Sequence, residues 1–355
     1  MSEIEELRQK IDAIDSGILK LLNERAQHVT EIGRIKKSKN AEIHVPKREL
    51  EIYQRLEKSN PGPFPNEAVR AVFREIISAC LSLEQPLKVA FLGPKATFSH
   101  LACMRHFGFS THYVPVNSIR DVFLEVEKGN CIYGVVPIEN STEGVITHTL
   151  DLLADSELKI SAEVMLEVSH NLLSKAEGLD KVQKIYSFNP PAAQCRQWLA
   201  TNLPNVPVQE VFSSARAAEM AAQDPASAAI ASELAADLYG LNILSKRIED
   251  NPNNITRFLV VGKKMMTPTG RDKSSIMFSI KDKVGALHNV LEAFARHGIN
   301  LTKIESRPSR RKSWDYVFFA DLEGHVEEER VKKALEALEG LSSFVKILGA
   351  YPVGS

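Results

Sequence analysis

Three sets of residues in this chain have the types and spacing to do chemistry. Arg25, Val29, Ile32 and Lys36 are separated by four, three and four positions, so on a helix both cations project from one face. Arg8 lies 17 residues before Arg25, about 25 Å along an unbroken helix. No small ligand touches both from one helix: Arg8 is either a surface charge or serves a pocket completed by another chain. The run RIKKSK is also a plain basic helix end, favourable to the dipole.

The second set is the stretch NPNNITRFLVVG, residues 251–262, where a polar, donor-rich tip leads into what reads as a buried strand. If the chain is extended from Thr256, Thr256 and Phe258 face one way and Arg257 the other, so only one of the polar pair enters a given site. The third set lies between them. In VVPIENSTEGV a strand ends at Ile138 and a helix is expected to follow, with Asn140 and Glu143 at capping-box spacing. That spacing serves a helix start, and a helix start also suits an anion. In IYSFNPPAAQC, Ser187 ends a strand, Pro190-Pro191 open a helix, and Gln194 lies in its first turns. His170, in SHNLL, continues an apolar strand face and reads by itself as a satisfied core histidine. GPKATFS, 93–99, joins strand to helix but carries neither a dinucleotide fingerprint nor a P-loop.

The elements that must position these residues fall into three rhythms. Residues 2–38 place Ile4, Leu7, Ile11, Ile14, Ile18 and Leu21 at alternating gaps of three and four, the seam of a long helix. Pro46 can start a second helix through Leu56, NPGPFPN is a loop, and Val69, Phe73, Ile76 and Cys80 mark a third. So thin a bundle should bury its seam against a second copy. From residue 86, KVAFLG, HYVPV, CIYGVVPI, KIYSF, AAIAS and FLVVG are short apolar strands separated by helical stretches at 118–128, 192–202 and 214–223. They predict an open α/β sheet flanked by helices, with ligands at strand ends. Residues 160–171 alternate as a strand with one wetter face. The last segment reads strand 276–280, helix 285–297, strand 299–306, strand 315–321, helix 327–338, strand 344–350, the split βαβ order of a ferredoxin-like α+β domain.

Composition narrows the functional classes. At 355 residues two or three domains are expected. Lys+Arg 44 against Asp+Glu 45 leaves no global field for nucleic acid or an anionic membrane. Cys80, Cys103, Cys131 and Cys195 are far apart, without metal-ligand spacing, and read as reduced thiols. The N-terminus is charged where a signal peptide would be apolar, and no run approaches a membrane span. A soluble, cytoplasmic protein is expected.

Across residues 1–85, Leu7-Arg8-x-Lys10-Ile11-Asp12, Asn23-Glu24-Arg25, Ile32-x-x-x-Lys36 and Pro46-x-Arg48-Glu49 resemble the all-helical chorismate mutase family. The resemblance implies an intertwined homodimer with composite sites, which resolves the reach of Arg8. It implies that Arg25, Arg48 and Arg8 from the second copy hold the two carboxylates of chorismate, with Lys36 at the ether oxygen and Glu49 at the ring hydroxyl. A Claisen rearrangement needs neither proton transfer nor nucleophile, only a folded dianion and fixed donors where charge grows on the breaking C–O bond. Val45 falls where some members carry an acid, leaving the hydroxyl to Glu49. Glu84 falls where members carry Gln or Glu beside the ether oxygen; an ionised carboxylate there would repel the developing charge, so Glu84 is expected to act protonated, with mutase activity falling as pH rises. The plain alternative is a solvated residue in the last helical turn.

Residues 86–265, through GPKATFS, PIENSTEG, SHNL, YSFNPPAAQC, NPNN-TRF and FLVVG, resemble prephenate dehydratase, a two-lobed α/β domain with its site between the lobes. Ala96 replaces the glycine usual in the first motif. The resemblance selects Thr256 to face the substrate. Prephenate must lose its ring hydroxyl with carbon dioxide, and the poor leaving group needs a donated hydrogen bond or proton. A threonine is too weak an acid alone, so a network of Thr256 with Asn140, Ser187 and Gln194, and Glu139 adjacent, is expected. Residues 270–355 resemble an ACT regulatory domain through Gly285-Ala286-Leu287-His288 and Glu305-Ser306-Arg307-Pro308, which implies phenylalanine bound between paired domains as a feedback effector. Blandly, these are a tight strand-to-helix turn and a strand end. Neither reaction requires a cofactor or metal. Two rivals stay open: a non-catalytic amino-acid sensor, and a mutase with an inactive dehydratase lobe.

Overall fold

The computed structural model describes residues 2–39, 44–84, 86–280, 283–308 and 316–354. Gln85, at the expected end of the first domain, and Asp315, at the expected start of a strand, lie outside them. The chain separates into two compact units, residues 1–88 with 106–112, and the remainder.

In the first unit the uninterrupted seam becomes α1 (Glu3–Ser38), 36 residues long. Ser2 caps it by accepting from the Glu5 amide, and Glu3, Glu5 and Glu6 at its start with Lys36 and Lys37 at its end complement the helix dipole. No residue of α1 is buried. Its seam is at least half exposed throughout, from 50% at Ile18 to 65% at Leu21, so one chain alone leaves the apolar stripe in water. Helix α2 (Pro46–Ser59) starts on its proline and α3 (Asn66–Glu84) follows a short loop. Residues 106–112 fold onto α3, where Glu75 and Ser78 accept from the Phe109 and Ser110 amides at 2.8 and 3.2 Å.

The second unit continues with β1 (Lys88–Leu92), α4 (Phe98–Phe107), β2 (His112–Val116), α5 (Ile119–Glu127), β3 (Tyr133–Asn140), β4 (Gly144–Val145), α6 (Thr147–Asp155), β5 (Lys159–Glu167) and β6 (Asn171–Ser174). Then come β7 (Lys184–Ser187), α7 (Asn189–Gln194), α8 (Arg196–Asn202), β8 (Val208–Glu210), α9 (Ser214–Gln223), β9 (Ser227–Ala231), α10 (Glu233–Tyr239), β10 (Asn242–Ser245) and β11 (Ile255–Gly262). The C-terminal elements are β12 (Asp272–Ile280), α11 (Ala286–Arg296), β13 (Leu301–Pro308), β14 (Tyr316–Glu323), α12 (Glu329–Leu341) and β15 (Ser342–Pro352).

Two sheets organise this unit. The smaller runs β10-β6-β9-β7-β8; the larger runs β13-β14-β12-β15-β5-β11-β3-β1-β2, with β4 on β3. The βα alternation predicted strand ends clustered at one edge, but β11 is antiparallel to both neighbours, β3 and β5. Its beginning therefore meets the end of β3, and Thr256 pairs with Asn140. The ferredoxin-like segment joins the same sheet where β15 touches β5 at Gly349 and Ile160. A Cβ at Gly349 would lie 2.3 Å from the Ile160 carbonyl oxygen, so only glycine permits this approach. Lys346 clasps the joint by donating to the Ala154 and Ser156 carbonyls at 2.9 and 2.7 Å.

Candidate active sites

The helix predicted to begin at Asn140 does not form. Asn140 Oδ1 accepts from the Thr142 and Glu143 amides at 2.9 and 3.0 Å, as an N-cap would, but Gly144, at φ +84°, turns the chain back so that β4 pairs with β3. The side chain that satisfies this turn keeps its amide nitrogen for the site.

From that nitrogen a chain of hydrogen bonds crosses from one sheet to the other. Asn140 Nδ2 donates to Thr256 Oγ1 at 2.8 Å and to Asn254 Oδ1 at 2.7 Å. Asn254 Nδ2 donates to Gln194 Oε1 at 2.7 Å, and Gln194 Nε2 donates to Glu143 Oε1 at 2.8 Å. The carboxylate of Glu143 accepts only, which orients the Gln194 amide and leaves its oxygen facing His170 Nε2 at 2.8 Å. His170 Nε2 therefore carries the proton and donates, while Nδ1 is buried without a hydrogen-bond partner among the described residues. Burial holds this imidazole below its ordinary pKa, with Gln194, Glu249 and Glu143 offsetting part of the effect. Its ring packs edge-on against Phe98 at 5.6 Å, and its backbone amide donates to Glu249 at 2.8 Å.

Within this chain Thr256 Oγ1 is an acceptor, and the hydrogen bonds among the described residues leave its own proton uncommitted. A hydroxyl that accepts from an amide donates more strongly in turn. It is 8% exposed, and Asn254 is 1% exposed, so both work largely out of water. Of the expected set, Asn140, Gln194 and Thr256 meet here. Ser187 does not join them: it is fully buried and donates to the neighbouring Phe188 carbonyl at 2.9 Å. Glu139 lies on the reverse face of the sheet beside Arg257, bonded to Lys303 at 2.5 Å. Asn254, Glu143 and His170 join them: Glu143 was expected only as the capping-box partner of Asn140 and His170 only as a satisfied core histidine, while Asn254 stood in the polar tip with nothing to separate it from Asn251 or Asn253. Ala96 takes the left-handed conformation, φ +67°, that the missing glycine would adopt freely, and its carbonyl accepts from Ser232 at 3.1 Å.

In the helical unit, Lys36 Nζ is 3.1 Å from Glu84 Oε1, and the Glu84 side chain is 3% exposed rather than solvated. Gly33 makes room for it: a Cβ there would meet Glu84 Cγ at 2.4 Å. Arg25 Nη1 is buried with no hydrogen-bond partner among the described residues, a cationic donor open to an acceptor. His44 sits 2.9 Å from Glu49. Arg48 pairs with Glu51 at 3.2 Å and Arg8 with Glu5 at 3.6 Å, and both arginines are largely in solvent. In the C-terminal segment Gly285, at φ +80°, starts α11 ahead of Ala286 and Leu287, whereas Glu305, Ser306, Arg307 and Pro308 end β13. Among the described residues no three His, Cys, Asp or Glu side chains are grouped to hold a metal ion, and no helix is long and apolar enough to cross a membrane.

Known families bear on all of these regions. The family model of type II chorismate mutase matches residues 7–85, that of prephenate dehydratase residues 89–266, and that of the ACT domain residues 274–340. A bifunctional chorismate mutase/prephenate dehydratase of Aquifex aeolicus (strain VF5) is 54% identical over 99% of this chain and 98% of its own. A prephenate dehydratase from Arthrobacter aurescens, solved in complex with L-Phe, is 34% identical with a TM-score of 0.69, over 75% of this chain and 90% of that one. A protein described as a novel type of quorum quenching acylase is 29% identical, also with a TM-score of 0.69, over 75% of this chain and 98% of that one. With three matched segments in order and more than half of its residues shared over its length, the chain belongs to the bifunctional chorismate mutase/prephenate dehydratase family.

Proposed function

We propose that the helical unit converts chorismate to prephenate and that the Thr256 network converts prephenate to phenylpyruvate, with loss of water and carbon dioxide. The observation that carries the second step is the Thr256 hydroxyl, accepting from Asn140 and keeping its proton for an outside acceptor. Ring aromatisation drives the loss of carbon dioxide; the obstacle is the departing hydroxide, which a strengthened donor in a dry pocket stabilises. Gln194 and Asn254 hold the Asn140 amide in line, and His170, neutral and donating, holds Gln194.

For the first step, Arg25 Nη1, which has no hydrogen-bond partner among the described residues, suits a carboxylate, and Lys36 suits the oxygen on which negative charge grows. Opening the Lys36–Glu84 pair frees the Lys36 ammonium for the ether oxygen. The half-exposed seam of α1 supports a homodimer in which Arg8 from a second copy completes each site, since about 25 Å of helix separates Arg8 from Arg25 within one copy. Phenylalanine is the effector, and β13, at the edge of its sheet, offers a strand edge for pairing two C-terminal domains around it.

Fold likeness to an acylase does not decide the reaction, because chemistry lives in the site. Feeding chorismate and following both prephenate and phenylpyruvate, with and without phenylalanine, decides among the readings. Both products, with the second suppressed by phenylalanine, are expected. Binding without turnover would mean an amino-acid sensor, and prephenate alone would mean a mutase with an inactive second lobe.

A further inference from the structure

Asn140 and Thr256 face the network just described; their neighbours Glu139 and Arg257 are cross-strand partners on the other side of the same two strands. The C-terminal domain reaches both, and Glu163 of β5 also holds Arg257. Arg257 Nε donates to Glu163 at 2.8 Å, Nη1 to Asp321 at 2.6 Å and Nη2 to the Tyr351 hydroxyl at 3.0 Å. Lys273 donates to Glu163 at 2.9 Å, and Lys303 to Glu139 at 2.5 Å. These six charged groups, Glu139, Glu163, Arg257, Lys273, Lys303 and Asp321, line a cavity of about 310 Å³. Each cation meets a carboxylate, so the cavity is a bracket between domains rather than an empty ligand site.

The pattern along β13 gives the bracket a direction. Lys303, Glu305 and Arg307 alternate along the strand and share a face. Lys303 grips Glu139 at the end of β3. Arg307 donates to the Thr147 carbonyl at 2.6 Å and lies 3.4 Å from Asp151, gripping α6. Between these two grips stands Glu305, in the segment that resembles an effector loop. Glu305 thus stands on a strand whose flanking residues on that face hold the end of β3 and α6.

We propose that Lys303 is a positioning residue for dehydration: through Glu139 it holds the end of β3, and with it the Asn140–Thr256 hydrogen bond, and it makes that geometry answer to the state of β13. The second half rests on phenylalanine being the effector. The test uses the full-length protein as Lys303→Met, which keeps length and loses charge, and Lys303→Arg, which keeps both. Prephenate turnover, mutase turnover and calorimetric binding of phenylalanine are measured for each, the last two reporting that the variant is folded. In Lys303→Met either kcat for dehydration falls at least tenfold at parental KM, or kcat persists and the phenylalanine concentration for half-inhibition rises at least tenfold while its binding is kept. The first result supports the positioning role; the second overturns it and supports only the coupling to β13; in each, Lys303→Arg restores parental behaviour. If Lys303→Met matches the parent in kcat, KM and inhibition, the inference fails alone. A parent that phenylalanine neither binds nor inhibits removes the effector reading, and the coupling with it, leaving kcat at constant KM to decide the positioning role.

Discussion

Replacing Thr256 by valine isolates the hydroxyl from everything else the side chain does. The shapes match, the site is 8% exposed, and valine suits a strand, so neither a cavity nor a backbone change follows. The folding cost is one hydrogen bond: Asn140 Nδ2 loses the acceptor at 2.8 Å but keeps Asn254 Oδ1 at 2.7 Å, so a loss of about 1 kcal/mol in stability is expected. The catalytic cost is larger, because the donor acts where charge develops: removing such a donor costs about 3–4 kcal/mol, or roughly 10²–10³ in kcat. Phenylpyruvate formation from prephenate, read as the enolate absorbance in alkali, should fall by that factor, while chorismate consumption by the helical unit should not change. Thr256→Ser, which restores a hydroxyl, should recover most of the loss. Dehydration by Thr256→Val within about threefold of the parent would refute the assignment of Thr256 as the leaving-group donor.

Four further outcomes follow from the geometry. Asn254→Ala removes two bonds while leaving Asn140 on Thr256 and His170 on Gln194, so dehydration should slow by about tenfold at nearly constant KM; unchanged kcat would exclude Asn254 from the site. Glu84→Gln replaces the carboxylate 3.1 Å from Lys36 with an amide donor of the same shape, so mutase turnover should at least equal the parent's; a fall of about tenfold or more would show that the reaction needs the acid at this position. Gly349→Ala forces a Cβ onto the Ile160 backbone, and a loss of about 2 kcal/mol, seen as an earlier thermal transition, is expected; an unshifted transition would contradict the close approach of β15 to β5. Burial lowers His100 and His106 to a pKa of about 4. Their neutral forms therefore contribute stability that is present above about pH 6.5 and fades toward pH 4, by about 1 kcal/mol per pH unit for each, and His106→Phe should flatten the acid limb of a melting-temperature profile.

How far the site was legible depends on which rule reached which residue. The α1 seam and the βαββαβ order were readable because each repeats over many residues, and repetition averages out local exceptions. Pairing of Thr256 with Asn140, 116 positions apart, carries no local signal, and neither does the contact of Asn254 with Gln194. These depend on β11 running against β3, a choice made by the whole sheet. Glu139 is the instructive case. Alternation along an extended chain separated Thr256 from Arg257, and the same rule separates Asn140 from Glu139, provided that β3 extends to Asn140. Ending the strand at Ile138, on the strength of a capping-box spacing, hid that consequence. Asn140 does make the contacts of a cap, but to a turn, and Gly144 decides between turn and helix through a positive φ that spacing does not reveal. Once the strand runs its full length, Glu139 and Arg257 fall together behind the site, where their charges must be matched. Glu163, Asp321 and Lys303 supply that match, so the carboxylate next to Asn140 is tied to the C-terminal segment on the face away from Thr256.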